Sequence, residues 1–123
     1  MTCGKMIIAL VDSDFQALRQ ASETVAQLCP NDDVLQFFFS LEAYMYLKSH
    51  RIDVLITECV LPGFDGFELM ERALREQPWV RVVFLTERTE LAAEAMRRKA
   101  DDFLVKPVTA QKLRHALDGA GKT

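Results

Sequence analysis

Asp12 follows the apolar run "MIIALV", Glu58 follows "DVLIT", Thr86 closes "VRVVFLT" and Lys106 follows "FLV". Each stands where an apolar run gives way to polar chain. Brought to one place, two carboxylates, a hydroxyl and an ammonium could bind a cation, hold an anion against the ammonium, or neutralise one another as ion pairs. After Glu58 the loop turns through Pro62-Gly63 and Asp65-Gly66 before a helical pattern resumes at Phe67. Cys59 is the one tempting nucleophile. With neither His50 nor His115 near it in sequence, it reads as a passive loop residue.

The elements that must position these groups alternate along the whole chain. "MIIALV" (6–11), "VLQFFF" (34–39), "DVLIT" (53–57), "VRVVFLT" (80–86) and "FLV" (103–105) read as strands. The first is a continuous apolar run, the pattern of a strand covered on both faces. Phe15, Leu18, Ser22, Val25 and Leu28 recur at helical spacing, and Pro30-Asn31-Asp32 stops that helix. Ser40 is the expected N-cap of a helix carrying Ala43, Tyr44 and Leu47. Gly66 opens a helix with Phe67, Met70, Ala73 and Leu74 on its apolar side, ended near Pro78. Leu91, Ala92, Ala95 and Met96 mark a short amphipathic helix, and Leu113, Ala116 and Leu117 mark the last, after Thr109.

Strands alternating with helices imply a parallel sheet sandwiched between helices: a doubly wound α/β domain. At this length the common solution is the flavodoxin-like strand order 2-1-3-4-5. In such a sheet the functional crevice lies beyond the carboxyl ends of the strands, which is where Asp12, Glu58, Thr86 and Lys106 fall.

With 123 residues, half of them hydrophobic and 27% charged, the chain has room for one core and one domain. A formal charge of −3 argues against direct binding of nucleic acid, which asks for a basic face. Three cysteines and two histidines without metal-like spacing argue against a zinc site and fit a reduced, cytoplasmic setting. The run from Met6 to Val11 is too short for a membrane span. No glycine-rich phosphate loop follows the first strand, and no nucleophile–base pair is visible, so an enzyme is not expected.

"LVDSDF", "DVLITECVLPGFDGFELM", "VVFLT" and "ADDFLVKPV" resemble, in order and spacing, the landmarks of the response-regulator receiver domain. The resemblance covers essentially the whole chain, with a receiver-like domain expected over 1–118. Residues 119–123 would be a frayed tail or the start of a linker to an effector domain. In that family a strand-end aspartate accepts a phosphoryl group from a histidine kinase, and an acidic pair after the first strand helps to hold Mg²⁺. The metal's oxygen ligands and positive charge suit that transfer. A Thr hydroxyl and a Lys ammonium then bind the phosphoryl oxygens, and an aromatic on the fifth strand swings in response. The resemblance assigns these places to Thr86, Lys106 and Phe103, and implies a cis peptide before Pro107.

This chain departs from the pattern where the chemistry is done. Glu58 stands at the acceptor position, and its added methylene misplaces the carboxylate for in-line attack. Ser13 replaces the second member of the acidic pair; Asp12 keeps the first, and Asp14, one position further on, is a partial substitute that the following helix is expected to aim differently. Ser13 is also a natural helix N-cap. Mg²⁺ binding at Asp12 is therefore expected to be weak or lost. Glu87 replaces a small residue after Thr86, the stretch from Thr86 to Ala100 is about two residues shorter than usual for the family, and Lys99 takes a helix-ending glycine's place.

Two readings of Glu58 stay open: a partial imitation of a phosphorylated aspartate, or a fixed ion pair with Lys106 and no switching. Both make the protein a phosphorylation-independent interaction module. It would dimerise or dock a protein partner through the fourth helix, fifth strand and fifth helix, where Arg97, Arg98 and Lys99 stand beside Asp101 and Asp102. The alternatives are a receiver fold gated by a small molecule in the pocket of Asp12, Thr86 and Lys106, or phosphorylation at another hydroxyl such as Ser13 or Thr57. Phe103 has a plain role beside its switch role, that of a core aromatic.

Overall fold

The structure is a computed structural model, and it describes residues 5–119. The strands are β1 (Ile7–Val11), β2 (Asp33–Phe37), β3 (Val54–Thr57), β4 (Arg81–Thr86) and β5 (Asp102–Val105). They pair in parallel in the order β2-β1-β3-β4-β5. The helices are α1 (Phe15–Leu28), α2 (Ser40–Leu47), α3 (Gly66–Glu76), α4 (Ala92–Arg97) and α5 (Ala110–Asp118). Five strands alternating with five helices reproduce the doubly wound order read from the sequence.

Successive strand side chains point to opposite faces, so a continuous apolar run must be covered twice. Ile8, Leu10, Val54, Ile56, Val83 and Leu85 pack with Leu18 and Val25 of α1 and Leu113 and Leu117 of α5. Ala9, Val11, Leu55, Val82 and Phe84 pack with residues of α2, α3 and α4, among them Leu47, Met70 and Ala95. Gln77 joins α2 to the start of β3. Its buried amide donates to the carbonyls of Leu47 (2.6 Å) and His50 (2.8 Å) and accepts from Ile52 N–H (2.8 Å).

Several local expectations are corrected. β2 ends at Phe37, two residues early, because Asp12 N–H takes the Phe37 carbonyl as the last bond of that ladder and the chain then leaves the sheet. Phe39 is consequently exposed. Phe15 lies off the buried stripe of α1, 57% exposed, with its ring stacked on Phe38 at 5.7 Å. Met96 is likewise exposed: α4 is a six-residue helix behind a 3₁₀ turn (Thr89–Leu91), and Ala95 alone of its residues is buried. Ser40 does not cap α2. Its hydroxyl donates to the Phe64 carbonyl at 2.6 Å, tying α2 to the loop after β3, while Phe39 holds the cap position without a side-chain bond.

Thr109 does cap α5, its hydroxyl accepting from Lys112 N–H at 3.2 Å. Lys99 ends the α4 turn at φ 68°, the left-handed region that a glycine would enter more cheaply. The tail expected over 119–123 lies, beyond Gly119, outside the described residues.

Candidate functional site

The register sets the site. Val11 lies opposite both Phe37 and Thr57, so β1 and β3 end level, and Glu58 N–H donates to the Val11 carbonyl at 2.9 Å. That bond places Asp12 and Glu58 side by side at the carboxyl edge. From the other side, Lys106 N–H donates to the Thr86 carbonyl at 2.9 Å, so the end of β5 is held against the end of β4. The Lys106–Pro107 peptide is cis.

Lys106 Nζ donates to Asp12 Oδ2 at 2.7 Å and to Glu58 Oε1 at 2.9 Å. The second oxygen of each carboxylate is also engaged. Asp12 Oδ1 accepts from Asp14 N–H at 2.9 Å, and Glu58 Oε2 accepts from Cys59 N–H at 2.9 Å. Burial works against the Lys106 ammonium, but its hydrogen bonds to Asp12 and Glu58 and their charges outweigh it, and its pKa is raised above the ordinary lysine value.

Three of the four strand-end groups are thus brought into direct contact. The fourth is not. Thr86 is fully buried and lines the same cavity, but its hydroxyl accepts from Arg88 N–H at 3.1 Å and caps the turn after β4. Asp14, not Ser13, is the N-cap of α1. Its Oδ1 accepts from Gln16 N–H (3.0 Å) and Ala17 N–H (3.2 Å), and Ser13 is exposed. Both N–H groups converge on that one charged oxygen, which makes stronger hydrogen bonds than a neutral acceptor would.

The cavity over these groups measures about 230 Å³ and is walled by Asp12, Ser13, Glu58, Val60, Thr86 and Arg88, among others. Glu87 is in its wall, where a smaller side chain would leave it wider. Arg88 was not singled out from the sequence; its place two positions after a strand-end residue, in the loop that faces the crevice, is the signal that marks it.

The loop after β3 is built around close backbone contact. Gly66 N–H donates to the Cys59 carbonyl at 2.8 Å, and Asp65 caps α3 by accepting from Glu68 N–H at 2.9 Å. Cys59 is buried, and desolvation first and the Glu58 charge second push its thiol up to about 12. It is a poor nucleophile there.

The donor set does not fit the Mg²⁺ that the resemblance implies. Mg²⁺ asks for oxygen ligands at about 2.0–2.1 Å in near-octahedral order. Here Asp14 is spent on the helix, Ser13 supplies no charge, and an ammonium already bridges Asp12 and Glu58. Among the described residues no group of three or more His, Cys, Asp or Glu side chains is placed to hold a metal ion.

Phe103 is half-buried against the core cluster that includes Phe84, Ala95 and Ala100. On the face made by α4, β5 and α5, the charges read as mixed are largely engaged within the chain. Arg97 and Arg98 both pair with Glu94, and Arg98 reaches Glu71 at 2.8 Å. Asp101 accepts from Val82 N–H at 2.7 Å, and Asp102 from Phe103 N–H at 2.8 Å. Among the described residues no helix is long and apolar enough to cross a membrane.

A family model described as the response regulator receiver domain matches residues 8–118. The cyclic di-GMP phosphodiesterase response regulator RpfG of Xanthomonas campestris pv. campestris is 30% identical over 112 residues, 87% of this chain and 29% of that protein. The transcriptional regulatory protein CitT of Bacillus subtilis is 29% identical over 89% of this chain and 50% of its own length. The chain therefore spans half or less of these curated relatives. Among solved structures, the signal receiver domain of an HD domain-containing protein from Pseudomonas fluorescens Pf-5 superposes with a TM-score of 0.85 at 25% identity. It covers 97% of this chain and 91% of that one. A response regulator receiver domain protein from Clostridium thermocellum gives 0.81 at 27% identity, covering 93% and 92%.

Proposed function

The chain belongs to the response regulator receiver domain family, a family of signal transduction, and from that premise we propose that it is an atypical receiver that works without accepting a phosphoryl group. The observation that carries this is the engagement of Glu58 at both oxygens, one by Lys106 and one by Cys59 N–H. An acceptor must present a free carboxylate oxygen in line with the incoming phosphorus, and a glutamate held at both ends presents none.

Of the two readings of Glu58, the fixed ion pair is the better supported. A phosphoryl mimic would draw the Thr86 hydroxyl towards Glu58, and that hydroxyl is instead committed to Arg88 N–H. Output then comes through protein contact, either a homodimer or a docked partner on the α4–β5–α5 face, with Phe103 in a packing role. Such a module would regulate an effector domain or a separate protein in the cytoplasm, with no direct hold on nucleic acid or membrane.

A small-molecule-gated receiver is the second reading, favoured by one observation. A groove of about 240 Å³ along α1 shares Asp14, Glu87 and Lys106 with the wall of the Glu58 cavity. A ligand there would raise the melting temperature in a metabolite screen, and a flat screen would remove this reading.

The main test is intact mass after incubation with a small-molecule phosphodonor and Mg²⁺, beside a Glu58→Asp, Ser13→Asp double variant. Mass gain in the variant alone is the expected result. Gain in the native chain overturns the proposal, and mapping it to Ser13 or Thr57 would identify a non-standard acceptor.

A further inference from the structure

We infer that Lys106 is a built-in cation that takes the place of a divalent metal between Asp12 and Glu58, so that this pocket excludes metal for as long as the lysine is there. The inference deepens the phosphorylation-independent reading and rests on it only for the absence of a phosphoryl group to neutralise.

The geometry carries it. Asp12, Glu58 and Lys106 side chains are only 9%, 13% and 14% exposed, and the ammonium contacts one oxygen of each carboxylate at 2.7 and 2.9 Å. Two carboxylates this close and this sheltered repel one another unless a cation lies between them. The chain supplies that cation itself.

The added methylene of Glu58 is what completes the arrangement: one oxygen reaches Lys106 while the other turns back to the N–H of the next residue. With the outer oxygens of Asp12 and Glu58 taken by Asp14 N–H and Cys59 N–H, all four carboxylate oxygens have a donor. An incoming Mg²⁺ would have to shed water, displace a tethered ammonium and then sit beside it, and among the described residues no third His, Cys, Asp or Glu side chain is placed to complete its ligand set.

The sign of the effect is the useful part. Removing the ammonium takes away the one cation that contacts both sheltered carboxylates, leaving, among the described residues, only Arg88 in the cavity wall, paired with Glu90, so the pocket should gain metal affinity when Lys106 is lost. A neighbouring positive charge lowers a carboxylate's affinity for a proton by about one to three powers of ten, and the same field opposes a metal cation.

The probe is Mn²⁺, followed by water-proton relaxation and by the loss of the free-ion electron paramagnetic signal, with Mg²⁺ as competitor. Lys106→Met and Lys106→Gln are expected to bind Mn²⁺ at least about tenfold more tightly than the native chain. Lys106→Arg, which keeps the charge, should stay close to native, and Asp12→Asn added to Lys106→Met should abolish the gain. Far-UV circular dichroism checks that each variant is folded; should Met fail, Gln carries the comparison.

Native binding as tight as that of the Met or Gln variant, or no gain in either folded variant, overturns the inference. The native titration decides even without variants, since a half-saturation near that of receivers with a full acidic pair would sink it. Such binding would leave the phosphorylation-independent reading standing, whereas phosphoryl uptake by the native chain would remove that reading and leave metal exclusion untouched.

Discussion

The carbonyl oxygen of Glu58 lies where a side chain on residue 66 would begin: a Cβ built on Gly66 stands 2.1 Å from that oxygen and 3.1 Å from Cys59 Cα. Backbone faces backbone there, and neither side can give way without moving Glu58. Gly66→Ala is therefore expected to destabilise the fold and to loosen the Lys106–Glu58 pair together. A melting temperature lowered by several degrees, corresponding to about 1–3 kcal/mol, is the expected outcome. Thermal unfolding beside Gly63→Ala separates two causes. A Cβ on Gly63 would meet only Ser40 Oγ, at an ordinary 3.9 Å, but φ is +81°, so its cost is backbone strain.

Gln77 should matter to stability more than its place at the end of α3 suggests. Its buried amide satisfies two carbonyls and one N–H that have few other partners near the α2–β3 junction. Gln77→Leu keeps the bulk and strands those backbone groups, at a cost of about 1–3 kcal/mol. Gln77→Glu should also destabilise, because a carboxylate cannot donate to Leu47 and His50. Urea denaturation with an unchanged slope would check both.

Alkaline pH should release the ion pair. Because the folded pKa of Lys106 is raised, the pair's contribution is fully present below the unfolded lysine value of about 10.4 and is lost as pH rises through the higher folded value. Stability should therefore fall above about pH 10.4 more steeply in the native chain than in Lys106→Met. Parallel slopes in the two chains would mean that the pair contributes nothing.

Cys59 should resist alkylation in the folded chain. It is 1% exposed, and desolvation together with the Glu58 charge pushes its thiol up to about 12, so almost none is thiolate at pH 8. Peptide mapping after brief iodoacetamide treatment should find Cys59 unmodified until denaturant is added. Rapid native modification would show an open loop after β3.

Thr86 offers a direct view of the loop after β4. Replacing its hydroxyl in Thr86→Val leaves Arg88 N–H without its acceptor at a nearly constant side-chain volume. Faster amide exchange at Arg88, with stability lowered by about 0.5–1.5 kcal/mol, is expected. An unchanged Arg88 amide would show that the hydroxyl faces the cavity instead.

Pattern along the chain determined the element types, their order and which residues stand at the carboxyl edge of the sheet. Period and apolar runs are local properties, and parallel pairing leaves few ways to cover both faces of Ile7–Val11 or Val54–Thr57. The substitutions at Glu58 and Ser13 were equally legible, since they are identities at known spacings. Tertiary structure alone decided the partners.

Lys106 reaches Asp12 across 94 positions and Glu58 across 48, and nothing in the sequence says whether an ammonium will meet one carboxylate, both, or water. The same is true of the competition between Ser13 and Asp14 for the α1 cap and of the Thr86 hydroxyl, which turned to a neighbouring N–H. Phe15, Phe39 and Met96 show the limit from the apolar side. Helical or strand spacing names a face, but where the ladder ends and where a short helix begins its turn determine whether that face meets the core. Hydrogen-bond choices are settled by distances of a few ångströms between remote segments, and those distances exist only once the chain has folded.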